Sequence, residues 1–477
     1  MIKVILSTLI SVFLLVCAVT IFYWRDSKFD PSSQDLLIFF GLIPLGISLV
    51  LLTPYFVVKA YKYRQAQKLE AEQQALEQQN RPAAPEKVKA LEHVKLNVFS
   101  ASLQSSFGQN QEVFTQIAEM SGANLDPSLV SAYGLPILSF RIDDLEDEAD
   151  SDQDSDEMGS NDLNPLQRRM TKFIQRELEN NTESLASIAE HLKQSAMFYD
   201  SKLAYEYRMH PAWINPNIDV HEEDEVKVTP VEVYRLNRVN VHIVLADTLL
   251  HTWDESQSET VIGQYLDELG IIAQQINIEY HYWGAGNEYH EWINLVKNIQ
   301  NQPHEVSLML VQDSEIDQDV YDDRAWSVEG YIPAEFMSSC ILAAQEVQVE
   351  NLVATKVIDL VLNETQISTR LDELKLVTLE QYQEEIKFVV IPDDISQAKI
   401  VNKISENFEQ TPIQPYHHLY SKSSLGHTQN LTKIFSFMLG LHASDELHSF
   451  IYSVEFPSTH VIIKPVDEEE LTEFIDS

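Results

Sequence analysis

The sequence predicts an α/β fold preceded by two membrane-spanning helices. From about residue 94 onward, apolar segments of strand length alternate with amphipathic segments of helix length, which is the pattern of α/β layers. The order of these segments fits two successive halves, each rich in βαβ units, and no short-period repeat occurs. Two long apolar runs come before the first of these segments. We therefore expect a membrane anchor followed by one large α/β region.

The two apolar runs, 4–24 and 36–58, predict a transmembrane hairpin, since each has the roughly 20 residues that a helix needs to cross a bilayer. The first run lacks the small-residue cleavage site of a signal peptide, and a second run follows it closely. Four basic residues follow the second run before the first acid, Glu70: Lys59, Lys62, Arg64 and Lys68. The positive-inside rule then places both termini and the large domain in the cytoplasm, attached to a cell inner membrane.

Polar and acidic segments separate and flank the folded parts. Residues 60–93 are interpreted as a polar helix and a proline-containing linker, because Gln, Glu, Ala and Lys dominate 60–79 and prolines follow. An insert at 143–163 and a tail at 466–477 are acidic, and the insert carries ten acids and no base between Asp143 and Glu157. Like-charge repulsion predicts that the insert is disordered, and the alternative is that it binds a basic protein.

Composition excludes several classes of function. A net charge of −41 repels phosphate backbones, so nucleic-acid binding is not expected. The two cysteines, Cys17 and Cys340, cannot build a disulfide framework, and the chain has no glycine-rich phosphate loop.

No metal is expected at the adjacent His417 and His418, whose side chains would point apart on a strand, or at His427. The aromatic run at 280–283 is interpreted as packing or an interface, and no cofactor is expected.

The α/β region, 94–465, is divided into elements by hydrophobic periodicity and by Gly and Pro breaks. Expected strands are 95–103, 240–245, 276–282, 306–311, 352–362, 386–391 and 461–463. Expected helices are 110–120, 164–207, 260–270, 289–300, 395–408 and 435–441. The segment 336–345 is apolar at almost every position, which leaves strand and buried helix both open.

A segment near the end, Lys422-Ser-Ser-Leu-Gly-His-Thr428, resembles the K-x-x-G-H-T loop of the β-ketoacyl synthases, in the thiolase-like superfamily. Gly426 allows a tight turn, and His427 would lie at a helix start where an imidazole can donate to an oxyanion. The segment 97–110 resembles the family's opening strand and turn. The resemblance implies two similar halves in a layered α/β/α/β/α sandwich, and a dimer.

The segment 453–463 resembles the family's closing loop S-F-G-F-G-G-T-N and the strand after it. Three of its residues keep the family's type: Ser453, Phe456 and Thr459. Glutamate, proline and serine replace the glycines, and His460 replaces the asparagine. Because this loop needs glycine flexibility to admit substrate, these changes are expected to stiffen or close it.

The family's catalytic cysteine and first histidine have no counterpart. By order, the cysteine would fall near 280–286, where the sequence has none, and Cys340 comes too late in the chain. The histidine should follow the strand ending at Ile391, but the sequence there is Pro392-Asp-Asp-Ile-Ser396. Covalent acyl transfer needs an activated nucleophile, so activity is not expected.

The sequence thus predicts a membrane-anchored, catalytically inactive protein that acts as an interaction or scaffold subunit. Expected partners are the membrane, a second thiolase-like domain in a homodimer or heterodimer, and a basic protein at the acidic insert. An accessory role in a bacterial envelope or secretion complex fits this topology. The alternative is an acyl-thioester-binding protein or atypical acyltransferase that uses a pocket at His427, with Ser423 or Ser424 as nucleophile.

Overall fold

The computed structural model describes most of the chain after residue 89. The described residues are 13–20, 22, 25, 43, 90–143, 164–198, 234–328, 330–373, 388–393, 398–409, 411, 413–421, 425–428, 430–444 and 447–466. The chain divides into two units, Met1–Lys89 and Ala90–Ser477.

In the first unit, residues 13–20 are helical. Within the part of the chain that the structure describes, no helix has the length and apolar character needed to cross a bilayer. Most of the expected spans 4–24 and 36–58 lies outside the described residues, as does the expected linker helix. Residues 144–163 of the acidic insert and 467–477 of the tail also lie outside them.

The second unit is built on a mixed β-sheet with helices, which confirms the α/β class. Its strands are β1 (Glu92–Ser105), β2 (Gly108–Gln109), β3 (Asn124–Val130), β4 (Pro136–Ser139), β5 (Arg238–Ala246), β6 (Ile276–Trp283), β7 (Glu305–Ser314), β8 (Glu335–Ala344), β9 (Lys356–Leu362), β10 (Phe388–Pro392), β11 (His448–Tyr452) and β12 (Thr459–Pro465). Its helices are α1 (Gln111–Ala118), α2 (Pro165–Asn180), α3 (Thr182–Phe198), α4 (Glu255–Glu268), α5 (Glu288–Gln300), α6 (Gln318–Arg324), α7 (Ile367–Glu373), α8 (Ala398–Phe408) and α9 (Thr432–Leu441).

Local sequence explains where several helices begin. Asn164 accepts a hydrogen bond from the Leu166 N–H at the start of α2, and Pro165 occupies the first helical position. Asp254 accepts from the Gln257 N–H at the start of α4. A side-chain oxygen at this position satisfies an N–H that the helix itself leaves free, and proline there loses no hydrogen bond.

The main sheet has two similar halves joined at its centre. The strand order is β10-β11-β12-β9-β1-β8-β7-β5-β6, and β2 pairs with β1. Moving outward from β1, the pairings with β8 and β7 are antiparallel, and β5 is parallel to β7. Moving outward from β9, β12 and β11 are again antiparallel and β10 is parallel to β11. The antiparallel pair of β1 and β9 makes one continuous sheet of both halves.

The two halves of the sheet also correspond at their outer edges. β6 lies parallel to β5 at the outer edge of the first half. In the second half, Val390 of β10 forms an isolated parallel bridge with His418, in the matching outer position. The helices that follow these two segments are α5 and α9, which contact each other.

The sheet curves around α5 and α9. α9 contacts β8 and β1 of the first half and also β10 and β11 of the second. In a flat sheet, β8 and β10 would be separated by about 24 Å, because neighbouring strands lie about 4.8 Å apart. A helix the length of α9 measures only about 15 Å. The two halves of the sheet therefore bend toward each other with α5 and α9 between them.

Three hydrophobic clusters follow from this arrangement. The central cluster joins α5 and α9 to strands of both halves and includes Val94, Trp292, Val296, Phe336, Ile391, Phe435, Phe437 and Ile451. The first outer cluster packs α2, α3 and α4 on the other face of the first half, and includes Phe173, Leu178, Leu192, Ile243 and Ile262. The second outer cluster packs α7 and α8 on the second half, and includes Leu371, Val390, Ile404, Phe408 and Phe450.

Some expected elements differ from the structure. The helical stretch expected at 164–207 contains two helices, α2 and α3, which meet at Asn181. The strand expected at 352–362 begins only at Lys356, because Leu352 closes a tight turn, in which its N–H donates to the Val349 carbonyl at 3.2 Å and Asn351 has a φ of +61°. The open segment 336–345 is the strand β8, which is buried along its whole length.

Candidate functional site

The first turns of α5 and α9 lie side by side and bring ionisable residues together. Glu288 is the first residue of α5, and Lys433 is the second residue of α9. The Lys433 Nζ lies 3.3 Å from Glu288 Oε1 and 2.8 Å from Glu455 Oε2. Asp393, at the end of β10, interacts electrostatically with the same lysine. We call Glu288, Asp393, Lys433 and Glu455 the Lys433 cluster.

Lys433 stays charged despite its burial. Its side chain is only 12% exposed. Burial by itself lowers the pKa of Lys433, but the hydrogen bond to Glu455 and the charges of Glu288 and Asp393 outweigh burial and raise it. Glu288 also accepts a 2.6 Å hydrogen bond from the Gly286 N–H, which holds its carboxylate at the start of α5. The lysine is therefore paired with the neighbouring carboxylates.

Asp393 occupies the place after β10 where the family's first histidine would be expected. Its backbone N–H donates to the Tyr452 carbonyl, and its carboxylate accepts from the Val454 N–H at 3.2 Å. Burial raises the pKa of Asp393 to about 6, against the opposing effects of Ser453, Val454 and Lys433. This carboxyl group ties β10 to the loop that follows β11.

The loop 453–458 folds over the start of α5. The ring of Phe456 stacks on Tyr289 at 6.0 Å and on His290 at 5.5 Å. The hydroxyl of Tyr289 is buried and has no hydrogen-bond partner among the described residues, and burial raises its pKa. Aromatic packing of this kind excludes water from the first turn of the helix.

Hydrogen bonds within the loop 453–458 and to the residues after it hold this loop in a compact turn. The Phe456 N–H donates to Ser453 Oγ at 3.3 Å, and the Thr459 N–H donates to the Phe456 carbonyl at 2.9 Å. The Nε2 of His460 lies 3.2 Å from the Pro457 carbonyl. Ser453, Phe456 and Thr459 thus form one compact turn, and the substrate-gating role that the resemblance implies for them stays a prediction.

His427 lies in the segment before α9 and is held by backbone contacts. Its N–H donates to the Ile332 carbonyl, and its carbonyl accepts from the Ala334 N–H, both at 2.9 Å. The ring Nδ1 lies 3.2 Å from both the nitrogen and the oxygen of Ile332, and the ring packs against Tyr331 at 5.1 Å. One ring nitrogen is therefore engaged by the backbone.

The residues around His427 in the expected loop have structural roles where they are described. Gly426 has a φ of +83°, and a Cβ there would lie 2.5 Å from a ring carbon of Phe140. The hydroxyl of Thr428 lies 2.9 Å from that of Thr432 at the start of α9. Lys422, Ser423 and Ser424 lie outside the described residues.

Two aspartates connect the segment after His427 with the loops at the ends of β5, β6 and β7. Asp313 accepts from the N–H groups of Asn430 and Leu431, each at 2.9 Å, which caps α9. Asp247 accepts from Asn430 Nδ2 at 2.6 Å and lies so close to Gly284 that a Cβ there would meet it at 2.3 Å. The segments expected to carry the nucleophile and His427 are therefore neighbours in space.

Cys340 lies away from this site, on β8. It is buried, and burial together with the nearby Glu177 raises the pKa of its thiol. Glu177 of α2 accepts hydrogen bonds from Ser339, on β8, and from Ser102, on β1. Burial raises the pKa of Glu177 to about 7, although these hydrogen bonds oppose the shift. A thiol in this environment stays protonated and inert.

The segments in which residue order predicts a site lie next to the Lys433 cluster, and their role as a site stays a prediction. Sequence reasoning missed Glu288, Lys433 and the role of Asp393, because only the fold brings these distant residues together. The sequence did contain a signal, since Lys433 is the second residue of a largely apolar helix and Asp393 directly follows an apolar strand. Charged residues in such positions are costly to bury unless they are paired.

Similarity to known proteins is found among solved structures. No family model and no curated protein matches the chain. Among solved structures, the ketosynthase from module 6 of the bacillaene synthase of Bacillus subtilis 168 is 9% identical, covering 78% of this chain and 72% of that chain with a TM-score of 0.43. The ishigamide ketosynthase/chain length factor is 8% identical, covering 78% and 100% with a TM-score of 0.38. An oxazolomycin ketosynthase domain of Streptomyces albus JA3453 is 9% identical, covering 78% and 75% with a TM-score of 0.38.

Proposed function

We propose that this chain is a membrane-anchored, catalytically inactive protein of thiolase-like fold that acts as an interaction or scaffold subunit. The observation that carries the proposal is the start of α5, directly after the segment 280–286 in which the resemblance places the family's nucleophile. There, Glu288 is paired with Lys433, and Phe456 packs over the helix. A structural ion pair and an aromatic contact take the place of a cysteine and a histidine.

The chemistry of the neighbouring groups supports this proposal. Covalent acyl transfer needs a nucleophile and a base within hydrogen-bond reach of each other. At the start of α5, Glu288 is paired with Lys433 and the His290 ring is stacked on Phe456. No cysteine, serine or threonine occurs in residues 284–291. Cys340 is buried in β8, and its raised pKa makes it a poor nucleophile.

The thiolase-like fold is itself part of the proposal. It is supported by the two halves with matching strand directions and by α5 and α9 between the curved halves of the sheet. With α2, α3 and α4 on one outer face and α7 and α8 on the other, the layers alternate as helix, sheet, helix, sheet and helix. The segments that resemble the family's opening, histidine and closing motifs fall within this arrangement.

The proposed partners follow from charge and from the edge of the sheet. β6 ends the strand order, and an edge strand offers unpaired backbone groups to another chain. A second thiolase-like domain at this edge would form the homodimer or heterodimer. The acidic insert would bind a basic protein, and the apolar runs 4–24 and 36–58 would hold the chain in the inner membrane of a bacterial envelope complex, such as a secretion machine.

The first test separates inactivity from the alternative, an acyl-thioester-binding protein or atypical acyltransferase at His427. Full-length protein in detergent is incubated with an alkynyl acyl-thioester probe, beside an active ketosynthase as positive control. We expect no covalent label and no saturable binding. Labelling that disappears in Ser423→Ala or Ser424→Ala, or binding that is lost in His427→Ala, would establish the alternative instead.

The second test addresses the scaffold role. Full-length tagged protein is solubilised from membranes and purified with its bound proteins, in parallel with a variant in which the ten acids of 143–157 are replaced by Asn and Gln. We expect specific envelope proteins to be recovered with the wild type, and basic ones to be lost with the neutralised insert. A protein that is monomeric by light scattering and recovers no partner would contradict the scaffold role.

A further inference from the structure

Three groups that can ligate a metal converge at the outer edge of the first half of the sheet. They are His242 on β5 and Glu279 and His281 on β6. The His242 Nδ1 lies 3.1 Å from the His281 Nε2 and 3.5 Å from Glu279 Oε2. The His281 Nε2 lies 4.0 Å from the same carboxylate oxygen.

The sheet itself brings these side chains together. β5 and β6 are parallel, and their register places His242 beside Glu279. Because side chains alternate between the two faces of a strand, Glu279 and His281 share a face. His281 packs against Trp283, the next residue on that face, whose ring belongs to the central cluster. The three groups therefore project from strands anchored by the core.

The spacing of the three atoms matches a metal ion. Three atoms at these separations lie on a circle with a radius of about 2.1 Å, and Zn²⁺ bonds to imidazole nitrogen and carboxylate oxygen measure about 2.0–2.2 Å. A metal slightly above the plane of the three atoms would reach all of them with small side-chain movements. The donor set, two imidazoles and one carboxylate, is one that zinc uses when a fourth position is left open.

We propose that His242, Glu279 and His281 form a binding site for a divalent transition metal ion, with zinc as the expected ion. His242 would bind through Nδ1, His281 through Nε2 and Glu279 through Oε2. The fourth position faces solvent, because the side chain of Glu279 is 49% exposed and that of His281 is 20% exposed.

Neighbouring residues fit this role. Asn277 Nδ2 donates to Glu279 Oε1 at 2.9 Å, which orients the carboxylate and leaves Oε2 directed at the histidines. Such outer contacts hold a ligand in place and strengthen metal binding. Glu291 of α5 interacts electrostatically with His281, so a further carboxylate near the three groups attracts a cation.

The test measures metal binding directly. Full-length protein carrying an affinity tag without histidine is purified in detergent, stripped with a chelator, and titrated with ZnCl₂ in a calorimeter. We expect one zinc ion per chain, and Co²⁺ in its place should give the intense visible absorption of a tetrahedral site. Absence of zinc binding would overturn the proposal and leave a hydrogen-bonded histidine pair as the explanation.

Substitution of the proposed ligands tests where zinc binds. His281→Gln and Glu279→Gln change the two exposed ligands and leave the buried His242 in place, so the fold should be kept. Each should weaken zinc binding about tenfold or more, since even outer contacts of zinc ligands contribute factors of about 10–100. His251→Gln, an exposed histidine outside the group of three, is the matched control and should bind as the wild type does.

A thermal melt with and without zinc provides the second measurement. Zinc should raise the melting temperature of the wild type and of His251→Gln, because a ligand that binds only the folded state stabilises it. It should raise the melting temperature of His281→Gln by less at the same zinc concentration, because the stabilisation falls as the affinity falls. Equal affinity in His281→Gln and His251→Gln would show that zinc binds elsewhere on this acidic surface, and would refute the site.

Discussion

Lys433 balances the charge of three carboxyl groups where α5 and α9 begin. Replacing it with methionine keeps most of its apolar stem but leaves Glu288 buried without its cation. Removing one partner of a buried ion pair is costly, so we expect Lys433→Met to lower the free energy of unfolding by about 2–4 kcal/mol. Urea denaturation of the full-length protein measures this loss.

Lys193→Met is the matched control, because Lys193 pairs with Glu190 where both side chains are more than half exposed. It should change the free energy of unfolding by no more than about 0.5 kcal/mol. Adding Glu288→Gln to Lys433→Met should recover part of the loss, since the double variant removes the uncompensated charge. Equal effects of Lys433→Met and Lys193→Met would show that the Lys433 cluster is only a surface network.

Glu177 should make the protein less stable as the pH rises. Burial raises its pKa from the ordinary value of 4.5 to about 7 in the folded chain, so the folded state binds the proton more tightly. The stabilisation is complete below about pH 4.5 and is lost as the pH rises through about 7, a change of about 3 kcal/mol. Glu177→Gln cannot ionise, so its unfolding free energy should vary less between pH 5 and 8.

The measurement is the difference in unfolding free energy between wild type and Glu177→Gln at each pH, which cancels the other titrating groups. Glu183→Gln, an exposed position at the start of α3, serves as control and should run parallel to the wild type. A constant difference between wild type and Glu177→Gln across this range would refute the assignment.

At the residue scale, the sequence alone shows which residue types are absent from a segment, and the inactivity inferred from those absences stays a prediction. The lack of a cysteine at 280–286 and of a histidine after Ile391 could be read directly from the sequence. Pairings such as Lys433 with Glu288 could not, because the partners are far apart in the chain. The Glu279-x-His281 spacing places two possible metal ligands on one face of a strand and could have indicated the site. The aromatic residues at 280–283 favoured an interpretation as packing instead.

At the element scale, the turn before α9 depends on Gly426. Its φ of +83° disfavours any side chain, and a Cβ would lie 2.5 Å from the Phe140 ring and 3.0 Å from the Ile332 carbonyl oxygen. Gly426→Ala should therefore lower the free energy of unfolding by about 3 kcal/mol or more, combining backbone strain with a clash.

Gly134→Ala separates these two causes. Gly134 has a φ of +71°, but a Cβ there would meet no atom within 4 Å. Gly134→Ala should lower the free energy of unfolding by only about 1 kcal/mol, because it adds backbone strain without a clash. If both variants lose the same stability in urea, the close packing around Gly426 contributes nothing.

Elements were predictable where one face is polar and the other is buried, and less so where tertiary contacts decide. β8 is buried at every position, so periodicity could not separate strand from helix. The break between α2 and α3 is made by Asn181, which donates to Ser339 on β8 and accepts from Ser100 on β1. These sheet contacts have no signature in the helical pattern of 164–207.

At the scale of the whole molecule, the central cluster makes the two halves depend on each other. Trp292 of α5 meets Phe437 of α9 at 5.2 Å, and Phe336 of β8 meets Phe435 of α9 at 5.0 Å. α9 belongs in sequence to the second half, but it packs on strands of both. Residues 90–477 should consequently unfold as one cooperative unit.

Phe437→Ala tests this cooperativity. Loss of a buried phenylalanine should cost about 3–5 kcal/mol, and the slowest-exchanging amides of β5 and of β11 should both lose protection by that same amount. Hydrogen exchange followed by mass spectrometry on the full-length protein measures both strands in one experiment. Trp326→Ala, at a side chain that is 79% exposed, should leave both strands unchanged. If protection falls in β11 while β5 keeps its own, the two halves are separate folding units, and α9 stabilises only the half to which it belongs in sequence.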